Sequence, residues 1–373
     1  MTCPYTYLVS TDLISFISTS ELTPRLDDDA TLFLVDVREP DEVAQWQIPG
    51  VHNIPLDALV ERRGEIPGEK EIVLICAKGT RANQAAELLK EFGVASRVLE
   101  GGMAAWANTY DHVAGDFGGA TVVQVRRRGK GCLSYVIGAG DRAVVIDPSL
   151  DLDQYLGAAR EHGWTISHVV DTHLHADHLS GARQLSKTTG ATLWLNPADG
   201  FTFDFVPLED GRAIELAKGI ALTVSSVSVP GHTEGSTMYQ LGDYAIFTGD
   251  TLFLESVGRP DLAEQAELFA HNLYRSLHER VLSLKDDALV FPAHYGPSVE
   301  IRSSEFLAER LGVLRKGLPV LSLDEGAFVD WALANVKDRP DNYKAIVLIN
   351  SGRAAQSQNV AELEVGPNRC AVA

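Results

Sequence analysis

The sequence predicts an α/β protein of two or three domains. Its 373 residues exceed the usual size of one domain, and 45% of them are apolar, which is enough for sizeable cores. Strand-like and helix-like segments alternate through the first hundred residues. Farther along, several apolar strand-like runs each end in a histidine or an aspartate. Reactive groups on loops at strand ends are typical of such a scaffold.

The first region predicts a parallel sheet with helices on both faces, because strands and helices alternate along it. The last long helix carries alanine and leucine at helical spacing, and Gly93 ends it. The predicted strands lie at 31–36, 71–76 and 96–99, and the predicted helices lie at 39–47, 80–92 and 102–107.

Cys76 ends one of these strands and directly precedes a helix, at the edge where ligands bind in open α/β sheets. The N–H groups of the loop and the helix N-terminus predict a positive cradle, to which Lys78 and Arg81 add charge. Such surroundings favour the thiolate, the nucleophilic form of cysteine. The alternative is a buried structural cysteine, which the glycine, lysine and arginine after Cys76 disfavour.

Four segments of this region form a set: VDVREP at 35–40, IPGVHNIPL at 48–56, the Cys76 loop, and EGGMAAW at 100–106. Together they resemble a rhodanese (sulfurtransferase) domain that covers nearly all of residues 5–110. The resemblance implies that Cys76 carries a persulfide and that Arg81 and Lys78 position an anionic sulfur donor. The spacing C-x4-R is one residue shorter than the similar phosphatase signature, so a single sulfur fits better than a phosphate group.

The segment THLHADH at residues 172–178 places three histidines and one aspartate after an apolar run. Side chains alternate along an extended chain, so His173 and His175 can point the same way. Asp177 and His178 then come from the turn that follows. Imidazoles and a carboxylate this close together suit a divalent transition metal. The alternative is a solvated polar turn, which the matching candidates downstream disfavour.

Three further candidates follow strand-like runs: His232 in PGHT, Asp250 in TGDT and His294 in PAH. Each residue alone is also typical of a turn, but the set is hard to explain as turns. With THLHADH, these motifs resemble the metallo-β-lactamase fold over roughly residues 118–296. The resemblance implies an αββα sandwich with a metal at one edge of its two sheets.

Residues 108–118 show little apolar periodicity and predict a linker. The predicted organisation is a rhodanese-like domain at 1–110, a linker at 111–118, and a metallo-β-lactamase domain with a C-terminal extension at 119–373.

The chain is acidic, with 51 Asp and Glu against 32 Lys and Arg and a net charge of −19. This charge argues against a binder of nucleic acid or anionic membranes. The basic run at 126–128 is interpreted as a solvated strand end. No apolar run suits a transmembrane helix, no secretory signal is apparent, and four scattered cysteines fit a reducing compartment. We therefore expect a cytoplasmic protein.

The segment SVGRPDL at 256–262 lies shortly after Asp250, and similar segments lie next to the metal in persulfide dioxygenases. The segments at 342–346 and 363–371 resemble the tail of bacterial members of that family. Glyoxalase II enzymes usually continue the motif of His232 with a second histidine, whereas this chain reads GHTEGS at 231–236. A fused sulfur-transfer domain also suggests that two active sites share a sulfane sulfur.

The resemblance to persulfide dioxygenases implies one Fe(II) per chain, bound by His173, His232 and Asp250. Two histidines and one carboxylate leave three positions open, as in non-haem iron oxygenases. The implied substrates are glutathione persulfide and dioxygen, the product is sulfite, and thiosulfate or sulfite is handled at the cysteine. The remaining candidates would then support the iron ligands from outside or hold water: His175, Asp177, His178 and His294.

Two residues are candidates for substrate binding. Arg259 is predicted to pair with a substrate carboxylate or, equally, with Asp261. By resemblance, Tyr295 reaches the ligand on the metal. Family members carry this tyrosine two positions after the histidine that matches His294, whereas here it follows immediately.

The main alternative is a binuclear zinc hydrolase of the glyoxalase II type that cleaves a glutathione thioester. It would use His173, His175 and His232 on one zinc, Asp177, His178 and His294 on the other, and Asp250 as a bridge. A sulfur carrier with a structural metal is disfavoured, because the cluster in these motifs has no cysteine. The sequence leaves a monomer and a homo-oligomer equally open.

Overall fold

The computed structural model describes residues 13–27, 29–209, 211–217, 220–261, 265–296, 298–336, 339, 342–356, 363–364, 366 and 370–371, with the backbone alone at 220–227. These residues form two compact units, Met1–Thr109 and Tyr110–Ala373. Several parts of the predicted segments lie outside the described residues: 1–12, 262, 365 and 367–369.

The first unit is built on five strands: β1 (Ile14–Ile17), β2 (Leu32–Asp36), β3 (His52–Asn53), β4 (Glu71–Ile75) and β5 (Ser96–Leu99). They form one sheet in the order β1-β5-β4-β2-β3, and every neighbouring pair is parallel. Its helices are α1 (Thr19–Leu26), α2 (Pro40–Gln45), α3 (Leu59–Arg62), α4 (Thr80–Glu91) and α5 (Gly102–Trp106), with 3-10 turns at Leu56–Ala58 and Arg63–Glu65. The parallel sheet predicted from the alternation is confirmed.

Both faces of this sheet are covered, also as predicted. Successive side chains of a strand point to opposite faces. Leu74 of β4 packs with the buried alanines of α4, whereas its neighbours Val73 and Ile75 pack with Met103 and Trp106 of α5. A strand buried on both faces is continuously apolar, which explains the run EIVLI in β4.

The second unit contains two sheets. Its strands are β6 (Tyr110–Phe117), β7 (Ala120–Arg127), β8 (Cys132–Ala139), β9 (Arg142–Ile146), β10 (Thr165–Val170), β11 (Thr192–Leu195), β12 (Val206–Pro207), β13 (Ala213–Ala217), β14 (Ile220–Ser228), β15 (Thr237–Leu241), β16 (Ala245–Gly249), β17 (Leu289–Pro292) and β18 (Glu309–Arg310). One sheet runs in the order β12-β11-β10-β9-β8-β7-β6, and the other in the order β13-β14-β15-β16-β17-β18.

The helices of this unit are α6 (Asp153–Glu161), α7 (Ala182–Thr189), α8 (Ala266–Arg275), α9 (Leu311–Gly317), α10 (Glu325–Ala334) and α11 (Tyr343–Asn350). A π-helical turn at Ser276–Val281 extends α8, and 3-10 turns lie at Pro197–Asp199 and Pro319–Ser322. Among the described residues, no helix combines the length and the apolar character that crossing a membrane requires.

The two sheets pack face to face between two layers of helices. Tyr135 of β8 meets Phe247 of β16 and Phe291 of β17 in the core between the sheets. On the outer faces, Tyr155 of α6 packs on the seven-stranded sheet and Phe328 of α10 packs on the six-stranded sheet. The second unit is therefore an αββα sandwich, as the resemblance implied.

The segment predicted as a linker is a strand. Residues 110–117 form β6, which pairs antiparallel with β7 along its whole length at the edge of the seven-stranded sheet. Only Val113 of this strand is buried. An edge strand with exposed side chains can be largely polar, so its composition resembles that of a linker.

The basic run at 126–128 is buried, contrary to the interpretation as a solvated strand end. Its three arginines are between 0% and 7% exposed. Arg126 and Arg128 form ion pairs with Asp111 of β6, and Arg127 pairs with Glu364. Buried guanidinium groups require partners, and these come from other elements of the fold that a short basic run does not reveal.

Candidate active sites

The seven candidate metal ligands lie on loops at the ends of four strands, where the sequence placed them. The loop at 171–181 follows β10, His232 follows β14, Asp250 directly follows β16, and His294 follows β17. None of the seven side chains is more than 3% exposed, which excludes the solvated-turn alternative.

His173, His232 and Asp250 form one group, and their ligand atoms lie within 4.8 Å of one another. Oδ2 of Asp250 lies 3.6 Å from Nε2 of His173 and 3.3 Å from Nε2 of His232. All three atoms are buried, and none has a hydrogen-bond partner among the described residues. Buried polar atoms are nearly always paired, so three unpaired atoms that converge indicate a metal ion as their common partner.

The other ring nitrogens of these histidines are held by neighbouring groups. Nδ1 of His232 lies 3.0 Å from the carbonyl oxygen of Arg259, which can only accept a hydrogen bond. Nδ1 of His173 lies 2.9 Å from Oγ1 of Thr172, whose hydroxyl donates to Asp147 at 2.8 Å. Both Nδ1 atoms therefore carry the proton, and each Nε2 is left to bind a metal. Contacts of this kind orient metal-binding histidines.

The protonation states of the group also suit a metal. Burial holds the pKa values of His173 and His232 below their usual range, so both imidazoles are neutral. Burial alone would raise the pKa of the Asp250 carboxyl, but the charge and hydrogen bond of His294 hold it well below its usual range. Neutral imidazoles and an ionised carboxylate are the forms that bind metals, so the donor set fits a divalent ion.

Asp177, His178 and His294 form a second buried group, which also contains Cys132. Asp177 lies 3.0 Å from a nitrogen of each histidine and 3.6 Å from the sulfur of Cys132. The contact to Nε2 of His294 lacks the alignment of a hydrogen bond. Nδ1 of His294 lies 2.6 Å from Asp250, so this histidine connects the two groups.

His175 belongs to a third buried group, with Asp147 and Asp171. Its Nε2 lies 3.1 Å from Oδ1 of Asp147, and its Nδ1 has no hydrogen-bond partner among the described residues. Asp147 also accepts from the N–H of Thr172 at 2.6 Å and has a φ of 51°, which is rare for residues other than glycine. Such backbone strain is concentrated at functional sites.

Cys132 and Asp147 were not identified from the sequence. Asp147 directly follows the apolar strand β9, so the pattern that identified Asp250 could have found it. Cys132 lies outside the spaced motifs, and the fold alone brings it to Asp177.

The two candidate substrate-binding residues both have protein contacts. The guanidinium of Arg259 is buried and donates to Asp261 at 2.7 and 2.9 Å, which is the ion pair considered as its alternative role. The ring of Tyr295 packs in the core between the sheets, and its hydroxyl donates to the carbonyl of Arg128 at 3.4 Å. A role in substrate binding stays a prediction for both.

In the first unit, Cys76 directly follows β4 and is 1% exposed. The N–H of Gly79 donates to its sulfur at 3.1 Å. Gly79 has a φ of 99°, a conformation that favours glycine, and α4 begins at the next residue. The loop therefore turns a backbone donor toward the sulfur beside a helix N-terminus, as the predicted cradle requires.

Lys78 is exposed on this loop, and Arg81 lies in the first turn of α4. Both Nη atoms of Arg81 donate to Glu42 of α2, at 2.6 and 2.8 Å. The bond to Arg81 lowers the pKa of Glu42 and raises that of the guanidinium. Glu42 is a further residue that the sequence did not identify, although it belongs to the helix after VDVREP.

Residues 18–109 match the rhodanese-like domain family, and residues 127–294 match the metallo-beta-lactamase superfamily. The mitochondrial persulfide dioxygenase ETHE1 of Bos taurus is 35% identical over 172 residues, which are 44% of this chain and 65% of that protein. A hydroxyacylglutathione hydrolase of Methylobacillus flagellatus is 36% identical over 117 residues, 31% of this chain and 46% of that protein. The crystal structure of ETHE1 from Myxococcus xanthus is 29% identical, with a TM-score of 0.55 over 62% of this chain and 97% of that one.

The chain thus spans just under two thirds of the bovine dioxygenase that it matches. Each family match falls within one structural unit and contains one of the two candidate sites. The chain therefore contains a rhodanese-like domain at residues 18–109, followed by a domain of the metallo-beta-lactamase superfamily at residues 127–294.

Proposed function

We propose that the chain is a persulfide dioxygenase that also transfers sulfane sulfur. The second unit oxidises the outer sulfur of a glutathione-type persulfide, with the balance RSSH + O2 + H2O → RSH + H2SO3. The outer sulfur is oxidised, dioxygen is reduced, and water supplies the remaining oxygen of sulfite. The first unit moves sulfur between a persulfide on Cys76 and thiosulfate or sulfite.

The convergence of His173, His232 and Asp250 carries this proposal. Two imidazoles and one carboxylate, all with free ligand atoms, match the donor set of non-haem iron oxygenases. One Fe(II) bound there would activate dioxygen and orient the persulfide sulfur. The likeness to proteins named persulfide dioxygenase and the rhodanese-like domain support the same chemistry.

The second buried group favours a single metal. Oδ1 of Asp177 pairs with His178, and its Oδ2 lies between His294 and Cys132. His294 also contacts Asp250. Nδ1 of each of these histidines is thus paired with a carboxylate, so the group is suited to hold protons or water beside the first group and to keep the carboxylate of Asp250 in place.

For sulfur transfer, the sulfur of Cys76 attacks the outer sulfur of thiosulfate, and the bond between the two thiosulfate sulfurs breaks. Sulfite leaves with the electron pair, so no external oxidant is needed. Lys78 supplies exposed positive charge for the anion, Arg81 adds to it only when its guanidinium leaves Glu42, and the N–H of Gly79 faces the reacting sulfur. The same steps in reverse make thiosulfate from sulfite.

The alternative function is thioester hydrolysis with two zinc ions. Two observations favour it: Nε2 of His294 lacks a hydrogen-bond partner among the described residues, and a hydroxyacylglutathione hydrolase is among the similar proteins. Its second ion would lie among Asp177, His178 and His294.

Metal analysis combined with oxygen uptake separates the two functions. We expect about one iron per chain by the ligand argument, and dioxygen consumption with sulfite release when glutathione persulfide is added. The same protein loaded with zinc is the control and should consume no dioxygen. Two zinc ions per chain, with cleavage of a glutathione thioester and no oxygen uptake, would establish the hydrolase instead.

A further inference from the structure

The loop that carries THLHADH needs partners for its backbone. Residues 171–181 contain no helix or strand, and an isolated bridge pairs Ser180 with Ser149. Residues 171–179 are all buried. Buried backbone N–H and C=O groups are almost always hydrogen-bonded, so side chains from other elements must satisfy this loop.

Asn350, the last residue of α11, provides three of these hydrogen bonds. Its Nδ2 donates to the carbonyl oxygens of His175 and His178, at 2.9 and 2.8 Å. Its Oδ1 accepts from the N–H of Ser180 at 3.0 Å. An asparagine amide has two N–H donors and one carbonyl oxygen, so each polar atom of this side chain bonds the loop.

Glu364 holds Leu179, which lies between His178 and Ser180. Its Oε1 accepts from the N–H of Leu179 at 2.6 Å, and its Oε2 pairs with the buried Arg127 at 2.7 Å. The backbone carbonyl of Glu364 also accepts from Lys130 at 3.1 Å. The carboxylate is thus anchored to β7 on one side and to the metal loop on the other.

Both residues lie beyond residue 294, where the match to the metallo-beta-lactamase superfamily ends. The opposite side of the loop is held from within the matched region, because Asp147 accepts from Thr172 and Asp199 accepts from the N–H of Leu174. Asn350 and Glu364 therefore complete the support of the loop at 171–181. The candidate ligands on this loop lie inside the superfamily match, whereas these two supporting residues lie outside it.

We infer that Asn350 and Glu364 are positioning residues of the metal site. They hold the backbone at residues 175–180. The side chains of His175, Asp177 and His178 therefore stay in position beside the group of three candidate ligands that contains His173. This inference depends on the proposed function only in requiring that the site binds a divalent metal, and it is the same for one ion or two. Loss of a group that directly holds a metal ligand typically lowers metal affinity by about 10- to 100-fold. Asn350 and Glu364 bond the backbone of the loop, so we expect the lower end of this range.

Cobalt binding to the full-length, metal-free protein tests the inference. Co²⁺ is a spectroscopic probe whose visible absorption reports the geometry of its ligands. We expect Asn350→Ala to weaken Co²⁺ binding by about 10-fold, at the lower end of that range, and to alter the absorption bands. The control is Asn335→Ala, because the Asn335 amide bonds a carbonyl of its own helix, that of Trp331. Equal Co²⁺ affinities and spectra for Asn350→Ala and the wild type would overturn the inference.

Two further variants separate positioning from general stability. Asn350→Asp keeps the shape and the acceptor for Ser180 but loses both donors, so it should bind Co²⁺ no better than Asn350→Ala. Glu364→Gln keeps an acceptor for Leu179 but replaces the oxygen that faces Arg127 with an NH2 donor, so it loses the ion pair and keeps the bond to the loop; a smaller loss is expected. If the Asn350 variants do not fold, Glu364→Ala, which removes the acceptor for Leu179, takes their place, and an unchanged Co²⁺ affinity in this folded variant would reject the inference. A lower unfolding temperature of the metal-free variants with unchanged Co²⁺ spectra would also reject it.

The outcomes also separate this inference from the proposed function. A wild-type protein that binds Co²⁺ but, with iron, consumes no dioxygen would refute the dioxygenase and leave the positioning role intact. A wild-type dioxygenase whose Asn350→Ala variant binds Co²⁺ equally well would refute the positioning role alone.

Discussion

The two candidate sites differ in how far along the chain their parts are gathered. At Cys76, the sulfur, the backbone donor of Gly79 and the start of α4 all lie within five residues. The candidate metal ligands lie at four strand ends between residues 173 and 294, and the side chains that support their loops extend to Glu364. One site is local in sequence, whereas the other exists only in the folded domain.

This difference determines what a motif can reveal. A loop between a strand and a helix has few conformations, so its residue types imply its geometry. A set of candidate ligands on four loops implies that a metal binds, but it does not tell which of the side chains bind the same ion. The grouping depends on strand register and on outer contacts such as those of Thr172 and Arg259.

The largest expected effect is the loss of the metal site in Asp250→Ala. Asp250 contacts both histidines of its group as well as His294, so its removal takes away one ligand and leaves buried imidazoles without their carboxylate. We expect metal content and oxygen uptake to fall to background, while thiosulfate sulfurtransferase activity persists. The control is Asp243→Ala, an exposed acid paired with Lys285. Retention of iron by Asp250→Ala would show that the ligand assignment is wrong.

Cys76→Ser should give the opposite pattern. A hydroxyl cannot carry sulfane sulfur, so sulfur transfer from thiosulfate should be abolished. Oxygen uptake with added glutathione persulfide should remain within about two-fold of the wild-type rate, because the two sites lie in separate units. Cys132→Ser is the matched control at another buried cysteine and should retain sulfur transfer. If a folded Cys76→Ser protein lost both activities, the two sites would not be independent.

Gly102→Ala tests whether the cysteine loop is as local as its motif suggests. A Cβ on Gly102 would overlap the carbonyl oxygen of Cys76, which accepts from the N–H of Met103 at 2.9 Å. In Gly93→Ala, the matched control, the backbone is also left-handed but the space is open. The control should cost about 1–2 kcal/mol from backbone strain alone.

We expect Gly102→Ala to cost about 1–3 kcal/mol more than Gly93→Ala, because the overlap adds to the strain. Denaturant titration of the first domain within the full chain measures both values, and sulfur transfer should fall in Gly102→Ala alone. Equal losses of stability in the two variants would show that the loop does not depend on its packing with α5.

The smallest expected effect concerns Glu42, which pairs with Arg81 across α2 and α4. Both side chains are about one third exposed, so Glu42→Gln should lower the free energy of unfolding by about 0.2–1 kcal/mol at neutral pH. The folded pKa of Glu42 is lowered, chiefly by the bond to Arg81. Its contribution is therefore complete above the ordinary pKa of 4.5 and is lost as the pH falls through the lowered value.

Unfolding of both proteins across this pH range checks the prediction. Glu65→Gln, at an exposed pair with Arg62, is the control and should change stability less. A difference between Glu42→Gln and the wild type that did not shrink in acid would exclude the ion pair as its cause.

The secondary structure around both sites could be predicted because periodicity and helix-ending residues are local. Helix α4 ends one residue from its predicted end, and β5 has its predicted bounds. The linker prediction was wrong because β6 is an edge strand whose polar composition reflects its exposed side chains. The basic run at 126–128 was misinterpreted because Asp111 and Glu364, which neutralise it, meet it only in the folded domain.

The sequence by itself determined the order of domains, the Cys76 loop and the set of seven candidate metal ligands, because strand ends and short motifs can be recognised from residues that are adjacent in the chain. The tertiary structure alone decided that the unpaired ligand atoms of His173, His232 and Asp250 converge, while Asp177 pairs with His178 and His294 pairs with Asp250. It also decided that a C-terminal helix supports the metal loop. The physical reason is that buried polar groups must be paired, and their partners come from whichever elements packing brings near.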